Sequence, residues 1–411
     1  MKSHVAGALR WSDLLWAPLR LLSGGDRLLL QMRERFAASL GLPSERVWLY
    51  ASGRGALHAL TAALELPPKS EVLLPGYTCV VVPNVFLHLG LPVRYVDIAP
   101  GSFNPASEAI AAAIGPQTRL VLLPHNFGLT LEGIAALRRR FPAVVFVEDA
   151  AHAWGSRDAA GRPVGTLGQA AFFSFEYSKP LSSGLGGALV IADEALARRV
   201  APRLPRLRRP AASAALKQAL TLTWHRLGQS LPGPLLRGLQ SLLRGPSRAL
   251  GVVADTPAAQ LSGEARPDYG LALHPLGAAL ALPQLARGPQ LWARRQAQAQ
   301  RYDALLAGSR RFVVPSRGPG DVLLRYPLRL TQPAERDGVI AALDRLGLVG
   351  GTWFDDVVHP RGSYRHGYVP GDCPVGEATA AAVLNLPLGL HADLSEAQAR
   401  GLRALALGVA A

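Results

Sequence analysis

The feature that most constrains the fold is a series of short apolar segments that alternate with helical stretches between residues 71 and 193. The segments are EVLLPGY (71–77), PVRYVDI (92–98), TRLVLLPH (118–125), AVVFVEDA (143–150), AAFFSFE (170–176) and GGALVIAD (186–193). Apolar runs of this length, separated by helices, indicate a parallel sheet covered on both faces. Ligands bind such sheets at the carboxyl ends of the strands. Asp149 stands at one such end and His125 at another, so both are candidate site residues.

The remaining periodicity predicts helices and a second unit. Helices are predicted over residues 27–41, 55–65, 276–307 and 395–408, the last with Ser395 as N-cap. VLLRYPLRL (322–330) is typical of a strand that starts a second α/β unit. A chain of 411 residues is long enough for two domains. We therefore expect a large α/β domain with a mostly parallel sheet over 1–275 and a smaller C-terminal α/β domain over 276–411.

From Arg198 to Gly251 the alternation of strands and helices stops. Pro and Gly recur between two amphipathic stretches, ALKQALTLTWHRLGQSL and PLLRGLQSLLRG. We interpret residues 198–250 as an inserted pair of short helices. The segment is strongly basic, because Ala195 to Ala254 contains ten Arg, one Lys and no Asp or Glu, in a chain of net charge +15.

Composition excludes several classes of protein. With 49% hydrophobic and 18% charged residues the chain is expected to fold rather than to be disordered. It has no continuous apolar run long enough for a membrane span, and Arg10, Asp13 and Arg20 interrupt the apolar N-terminus, which makes it a poor signal peptide. We expect a cytoplasmic protein that binds no nucleic acid. Cys79 and Cys373 are expected to be reduced core thiols, not a disulfide or zinc site.

Four blocks of sequence point to one family. They are SGRGALHAL (52–60), VEDAAHAWGS (147–156), FSFEYSKPLSSGLGGALV (173–190) and NLPLGLHADLSE (385–396). In this order and spacing the chain resembles the DegT/DnrJ/EryC1/StrS sugar aminotransferases over roughly residues 25–190 and 265–405. The resemblance implies the fold-type-I PLP aminotransferase fold, pyridoxal 5'-phosphate (PLP) as cofactor and a homodimer. It also implies a keto-sugar acceptor linked to a nucleotide and an amino donor such as glutamate.

The resemblance assigns three residues to the reacting end of the cofactor. Lys179 matches the Schiff-base lysine, and burial after an apolar strand would lower its pKa and free the amine. Asp149 matches the carboxylate that keeps the pyridine nitrogen protonated, although AAHAWG after it leaves a helix N-cap open as an alternative. His152 matches the residue near the 3-oxygen of the cofactor. Glu148 should point to the opposite face of the strand and be structural.

The remaining cofactor contacts are predicted around the phosphate and the ring. Gly53, Arg54 and Gly55 open a helix whose N–H groups suit a phosphate, and Arg54 either adds its charge or turns outward. Ser174 matches the phosphate-binding serine of the family. Tyr77 matches the aromatic residue that stacks on the ring.

Two departures from the family pattern leave alternatives open. Leu185 replaces a Glu in the glycine-rich turn, and residues 268–272 lack the Asn and Arg of the segment that reaches the neighbouring subunit. A PLP-fold protein that has lost turnover and acts as a partner in polysaccharide assembly is therefore a second hypothesis. For residues 198–250, contact with an anionic membrane surface competes with coverage of the protein's own subunit interface.

Overall fold

The computed structural model describes residues 8–230, 258–265 and 268–408. The strands are β1 (Val47–Tyr50), β2 (Glu71–Pro75), β3 (Thr78–Cys79), β4 (Val93–Val96), β5 (Thr118–Pro124), β6 (Val145–Asp149), β7 (Ala170–Ser174), β8 (Gly187–Ile191), β9 (Phe312–Val313), β10 (Tyr326–Leu330), β11 (Val358–His359) and β12 (Val383–Leu386). The helices are α1 (Trp11–Leu21), α2 (Gly25–Ser39), α3 (Gly53–Ala63), α4 (Val81–His88), α5 (Ser107–Ala113), α6 (Ile134–Arg140), α7 (Glu194–Val200), α8 (Ala212–Ser230), α9 (Ala258–Leu261), α10 (Pro275–Ala286), α11 (Gly288–Leu306), α12 (Arg336–Arg345), α13 (Pro374–Ala382) and α14 (Glu396–Leu407).

A seven-stranded sheet forms the larger part of the described structure, in the order β1-β8-β7-β6-β5-β2-β4. Five neighbouring strands of this sheet are mutually parallel, namely β7, β6, β5, β2 and β4. The strand β8 runs antiparallel to both of its neighbours, β7 and β1. All six predicted strands are therefore confirmed, and β1 is an additional edge strand. Because helices cover both faces, a central strand such as β8 is buried along its whole length. The mostly parallel sheet confirms the predicted fold class.

The two faces of this sheet have separate cores. On one face α2 and α10 pack around Met32, Phe36 and Phe173. On the other, α3, α4 and α7 pack around Leu60, Phe86 and other apolar side chains. Since α10 packs against α1 and α2, its contacts are made with the N-terminal part of the chain. The domain boundary at residue 275 stays a prediction.

A smaller antiparallel sheet, in the order β12-β10-β9, follows in the C-terminal part. Its β10 begins at Tyr326 rather than at residue 322, because the preceding backbone is held by other partners. The carbonyls of Leu323 and Leu324 accept hydrogen bonds from Arg295, and the Leu324 N–H donates to Phe127. The predicted helix over 276–307 is two helices, which meet at Arg287 just before a Gly-Pro pair.

The basic segment is described only in part. The first predicted helix is α8, a helix of nineteen residues and so longer than expected. The second amphipathic stretch lies outside the described residues. Side chains of α8 pack on the turn that follows Lys179: Gln218 Nε2 donates to the Ser183 carbonyl, and a Cβ at Gly184 would lie 2.8 Å from Leu222. Within the described ranges, no helix is long and apolar enough to cross a membrane.

Candidate active site

The candidate site lies at the carboxyl edge of the large sheet. Since β5, β6 and β7 are parallel, their carboxyl ends lie at the same edge, and Asp149 ends β6 while Ser174 ends β7. Lys179 follows five residues after Ser174, in a turn closed by its N–H bond to the Glu176 carbonyl at 2.9 Å. A strand pair adds the C-terminal part to this edge, because β11 runs parallel to β3 with His359 opposite Cys79.

Of the three lysines in the described residues, Lys179 is half-buried, whereas Lys69 and Lys217 are exposed. Burial lowers the pKa of its ammonium, and the nearby positive charge of Arg325 acts in the same direction. The carboxylates of Glu176 and Asp149 oppose this shift. A lysine whose pKa is lowered has more of the neutral amine that attacks a carbonyl.

Asp149 is close enough to Lys179 for each charge to act on the other. Burial raises the pKa of its carboxyl, while the Ala151 N–H, at 3.1 Å from Oδ1, lowers it. The residues after Asp149 form turns and not a helix, so the N-cap alternative is wrong. A half-buried carboxylate without a helix to cap is suited to hold a cationic ring nitrogen.

His152 is a neutral imidazole in this structure. Its Nδ1 accepts a hydrogen bond from the Phe127 N–H at 3.2 Å, which leaves the proton on Nε2. Burial lowers the pKa of His152 well below its usual value, and the charges of Lys179 and Arg325 lower it further. The ring packs between Phe127 and Phe354, whose ring centres lie 6.0 and 5.9 Å away. His152 can therefore donate a hydrogen bond from Nε2.

His125 and Glu148 form a separate, fully buried pair. The His125 Nδ1 accepts from the Leu131 N–H, so its Nε2 donates to a Glu148 oxygen at 3.0 Å. Glu148 also accepts N–H bonds from residues 165, 167 and 168 at 2.7–2.8 Å. The structural role predicted for Glu148 is confirmed. His125 has both ring nitrogens occupied in the core, and this excludes it from the site.

The N-terminus of α3 approaches β7 and β8 closely. A Cβ at Gly53 would lie 3.3 Å from the Ser174 Cβ, so these two predicted phosphate contacts are neighbours. At Gly187 a Cβ would lie 2.4 Å from the Gly53 nitrogen, and only glycine permits this approach. The Ser52 hydroxyl accepts the Gly55 N–H at 3.2 Å and so caps the helix. The N–H groups of the first turn before Gly55 have no acceptor within the helix and can bind an anion.

Arg54 turns toward a carboxylate. Its guanidinium lies 2.8 Å from Asp268, and each side chain is about one fifth exposed. The Arg54 Nε is buried without a hydrogen-bond partner. The backbone of Tyr269 lies against the same turn, 3.1 Å from where a Cβ of Gly55 would stand. The segment over 268–272 therefore contacts the α3 N-terminus of its own chain, with Asp268 as the acidic partner of Arg54.

Tyr77 is a core residue in this conformation. Its side chain has no exposed surface, and its hydroxyl both donates to the Phe354 carbonyl and accepts the Phe354 N–H, each at 2.9 Å. Tyr77 therefore offers no open face on which a ring could stack, and its predicted stacking role finds no support here. Cys79, two residues after Tyr77, lies at the site instead.

Cys79 is one of three site residues that sequence reasoning missed. Burial raises the pKa of its thiol, and the charges of Lys179, Asp149 and Arg54 all act on it, so Cys79 lies among the predicted catalytic groups. Both cysteines are free thiols: Cys373 is buried as expected, whereas Cys79 is only half-buried and packs at the margin of a core. No signal in a single sequence distinguishes an isolated cysteine in a core from one in a site.

The other two missed residues come from the C-terminal part. Arg325 is buried and acts electrostatically on Lys179 and His152. His359 lies beside Cys79 in the β3–β11 pair and is bound through Nδ1 to Asp355 at 2.6 Å. Both are far from Lys179 in sequence, and only the tertiary structure brings them to this edge.

Comparison with known proteins gives a consistent result. The model of the DegT/DnrJ/EryC1/StrS aminotransferase family matches residues 24–230 and 247–402. A dTDP-4-dehydro-2,3,6-trideoxy-D-glucose 4-aminotransferase of Saccharopolyspora spinosa is 28% identical over 368 residues, which cover 89% of this chain and 84% of that protein.

Solved structures share the fold. The aminotransferase TlmJ from Streptoalloteichus hindustanus has a TM-score of 0.71 at 22% identity, with 99% of this chain and 98% of that chain covered. The PLP form of Spr1654 from Streptococcus pneumoniae has a TM-score of 0.73 at 19% identity, with 99% and 98% covered. Because the family model spans most of the sequence and the described residues bring Lys179 and Asp149 to one edge of the sheet, the chain belongs to the DegT/DnrJ/EryC1/StrS aminotransferase family.

Proposed function

We propose that this protein is a PLP-dependent aminotransferase that transfers an amino group to a nucleotide-linked keto-sugar. The observation that carries the proposal is the position of the half-buried Lys179 just after β7, near the half-buried carboxylate of Asp149 at the end of the neighbouring β6. The S. spinosa relative, which acts on a dTDP-linked keto-sugar by its name, supports the acceptor class. Glutamate is the amino donor that we expect.

The residues at the sheet edge fit PLP. The first N–H groups of α3, together with Gly53, Gly55 and Ser174, would hold the phosphate. Asp149 would hold the ring nitrogen, and Lys179 would bind the aldehyde carbon. Arg54 forms an ion pair with Asp268. Its guanidinium would contact the phosphate only by binding both groups at once or by breaking that ion pair. When bound, PLP supplies an aldehyde that condenses with amines and a ring that withdraws electrons from the substrate.

The protein's own side chains would move and hold the protons. The Lys179 Nζ would take the proton from the donor's α-carbon, and its lowered pKa would keep enough neutral amine for this role. The Asp149 carboxylate would keep a proton on the ring nitrogen of bound PLP. The His152 Nε2–H would donate to the 3-oxygen of bound PLP, because Nδ1 already accepts the Phe127 N–H.

Replacement of Lys179 by alanine tests the activity. Purified wild-type protein should show the visible absorbance of lysine-bound PLP, lose it on addition of glutamate, and aminate a keto-sugar nucleotide. Lys179→Ala should lack the absorbance and the turnover while keeping the wild-type circular dichroism. Turnover at the wild-type rate in Lys179→Ala would refute the proposal. A wild-type protein that binds PLP but never reacts with any donor would favour the alternative, a partner protein in polysaccharide assembly.

We further propose that the protein works as a homodimer in the cytoplasm, in cell-surface polysaccharide or glycan biosynthesis. A peripheral membrane contact through residues 198–250 is part of this proposal. It is supported by exposed apolar side chains on α1, namely Leu15, Trp16 and Leu19, because α1 contacts α8 of the basic segment. Co-sedimentation with anionic vesicles, for the intact chain and for one lacking 205–250, tests it. Equal recovery of both in the supernatant at low salt would refute membrane contact.

A further inference from the structure

Arg325 is a buried cation with no carboxylate partner among the described residues. Its side chain is 4% exposed, and its guanidinium carbon lies 3.6 Å from the centre of the Trp353 ring. Its Nε is buried without a hydrogen-bond partner. Buried charges in proteins are ordinarily paired, because removal of an ion from water is costly. The position of Arg325 therefore calls for an anion that is not a side chain of the described structure.

The segment that carries Arg325 is held rigidly. Arg295, itself 3% exposed, donates to the carbonyls of Leu323 and Leu324 at 3.1 and 2.8 Å. The Leu324 N–H donates to the Phe127 carbonyl at 2.8 Å, and the Phe127 N–H binds His152. Arg325 is thus fixed relative to the residue that flanks the predicted cofactor. A preorganised cation of this kind costs little further ordering when it binds a ligand.

The anion that would pair with Arg325 would lie on the His152 side of the site and not at the α3 N-terminus, because Leu324, next to Arg325, is bonded to Phe127, whose N–H binds His152. The charge of Arg325 lowers the pKa of both Lys179 and His152, whereas the predicted phosphate contacts are Gly53 and Ser174 at the α3 N-terminus. Burial lowers the pKa of Arg325 itself to about 9, so it is still a cation at neutral pH.

The charge of Glu176 raises the pKa of Arg325, yet the two side chains form no salt bridge in the described structure. One Glu176 oxygen is instead held by Ser178, through its N–H at 3.0 Å and its hydroxyl at 2.6 Å. Glu176 therefore stabilises the turn before Lys179 and leaves the guanidinium fork available to a ligand.

We propose that Arg325 binds the α-carboxylate of the amino donor. The inference rests on the proposed function, because it is the reaction at Lys179 that brings an amino acid to this place. An amino acid carries its carboxylate one bond away from the carbon that bears the amine, so a donor reacting beside Lys179 presents an anion close to Arg325. The planar guanidinium binds a carboxylate through two parallel hydrogen bonds.

The test compares two donors in Arg325→Met and in wild type. L-Glutamate has the carboxylate, and n-propylamine lacks it. In single-turnover reactions of the PLP-loaded protein, Arg325→Met should bind glutamate at least about 30-fold more weakly, the lower range for the loss of one partner of a buried charge pair. Its reaction with propylamine should change less than about threefold. Arg301→Gln, which removes a half-exposed arginine paired with Glu396, is the matched control and should leave both donors unaffected.

Calorimetric binding of glutarate, a dicarboxylate without an amine, gives a readout that needs no turnover. Arg325→Met should weaken glutarate binding at least about tenfold. If Arg325→Met does not fold, Arg325→Lys keeps the charge but loses the fork, and should weaken glutamate at least about fivefold. Wild-type glutamate affinity in a folded, PLP-loaded Arg325 variant overturns this inference. Failure of the wild-type protein to hold PLP on a lysine overturns the proposed function instead, so the two failures are distinguishable.

Discussion

A single methyl group at Gly187 should damage both stability and cofactor binding. Gly187 begins β8, where the strand passes directly under the N-terminus of α3. In Gly187→Ala the new Cβ would lie 2.4 Å from the Gly53 nitrogen and 2.6 Å from the Phe173 oxygen. Both are backbone atoms, so no side chain can rotate away and the helix or the strand must move.

The size of the effect follows from these distances. Ordinary contacts of a Cβ begin at 3.4 Å, so the nearest atom must move by about 1 Å. Overpacking of this kind costs about 1–3 kcal/mol. The atom that moves is the first nitrogen of α3, one of the N–H groups that we assign to the phosphate. We therefore expect PLP to bind about 10- to 100-fold more weakly, since each factor of ten corresponds to about 1.4 kcal/mol.

Two assays on the same preparation separate these effects. Thermal unfolding of the apoprotein measures stability, and titration with PLP followed by visible absorbance measures cofactor affinity. Gly338→Ala is the control, because a Cβ at Gly338 meets no atom within 4 Å and the residue lies in α12. Unchanged melting temperature and unchanged PLP affinity in Gly187→Ala would refute the packing argument.

Three further outcomes are expected. Asp149→Asn should still bind PLP but lower turnover by orders of magnitude, because an amide cannot keep the ring nitrogen protonated; wild-type kinetics would contradict this role. Tyr77→Phe should destabilise the protein by about 1–3 kcal/mol in chemical denaturation, because both backbone groups of Phe354 lose their buried partner, and should change PLP affinity less than about threefold. The rate at which PLP attaches to the apoprotein should rise with pH as Lys179 deprotonates. The rate should level off at a pH clearly below about 10.4, the usual pKa of a lysine side chain. The reason is that burial lowers the pKa of Lys179. A rate that still rises up to that pH would contradict the burial argument.

The sheet could be predicted well because its strands are buried on both faces. Each of the six predicted segments is a short apolar run between helices, and this pattern has few alternatives. The edge strand β1 was missed because the four residues VWLY form too short a run to be distinguished. The region 276–307 is helical as predicted, and it is divided into two helices because the Gly-Pro pair at 288–289 starts a new helix.

The structure brings together those predicted site residues that follow strands of the same parallel sheet. Lys179, Asp149 and Ser174 are close together because β6 and β7 are neighbours. Tyr77 and Cys79 are two residues apart, and which of them faces the site depends on the pairing of β3 with β11. That pairing joins segments about 280 residues apart in sequence, and Arg325 lies 146 residues after Lys179. Local patterns contain no information on such contacts.

The most direct test of the account is to identify the lysine that holds PLP. The chain has four lysines, Lys2, Lys69, Lys179 and Lys217, of which Lys2 lies outside the described residues and Lys69 and Lys217 are exposed. Borohydride reduction of the PLP-loaded protein, followed by peptide mass spectrometry, fixes the cofactor on the residue that bound it. The account predicts one modified site, Lys179, at near-complete occupancy. A cofactor spread over the exposed lysines, or absent from Lys179, would contradict it.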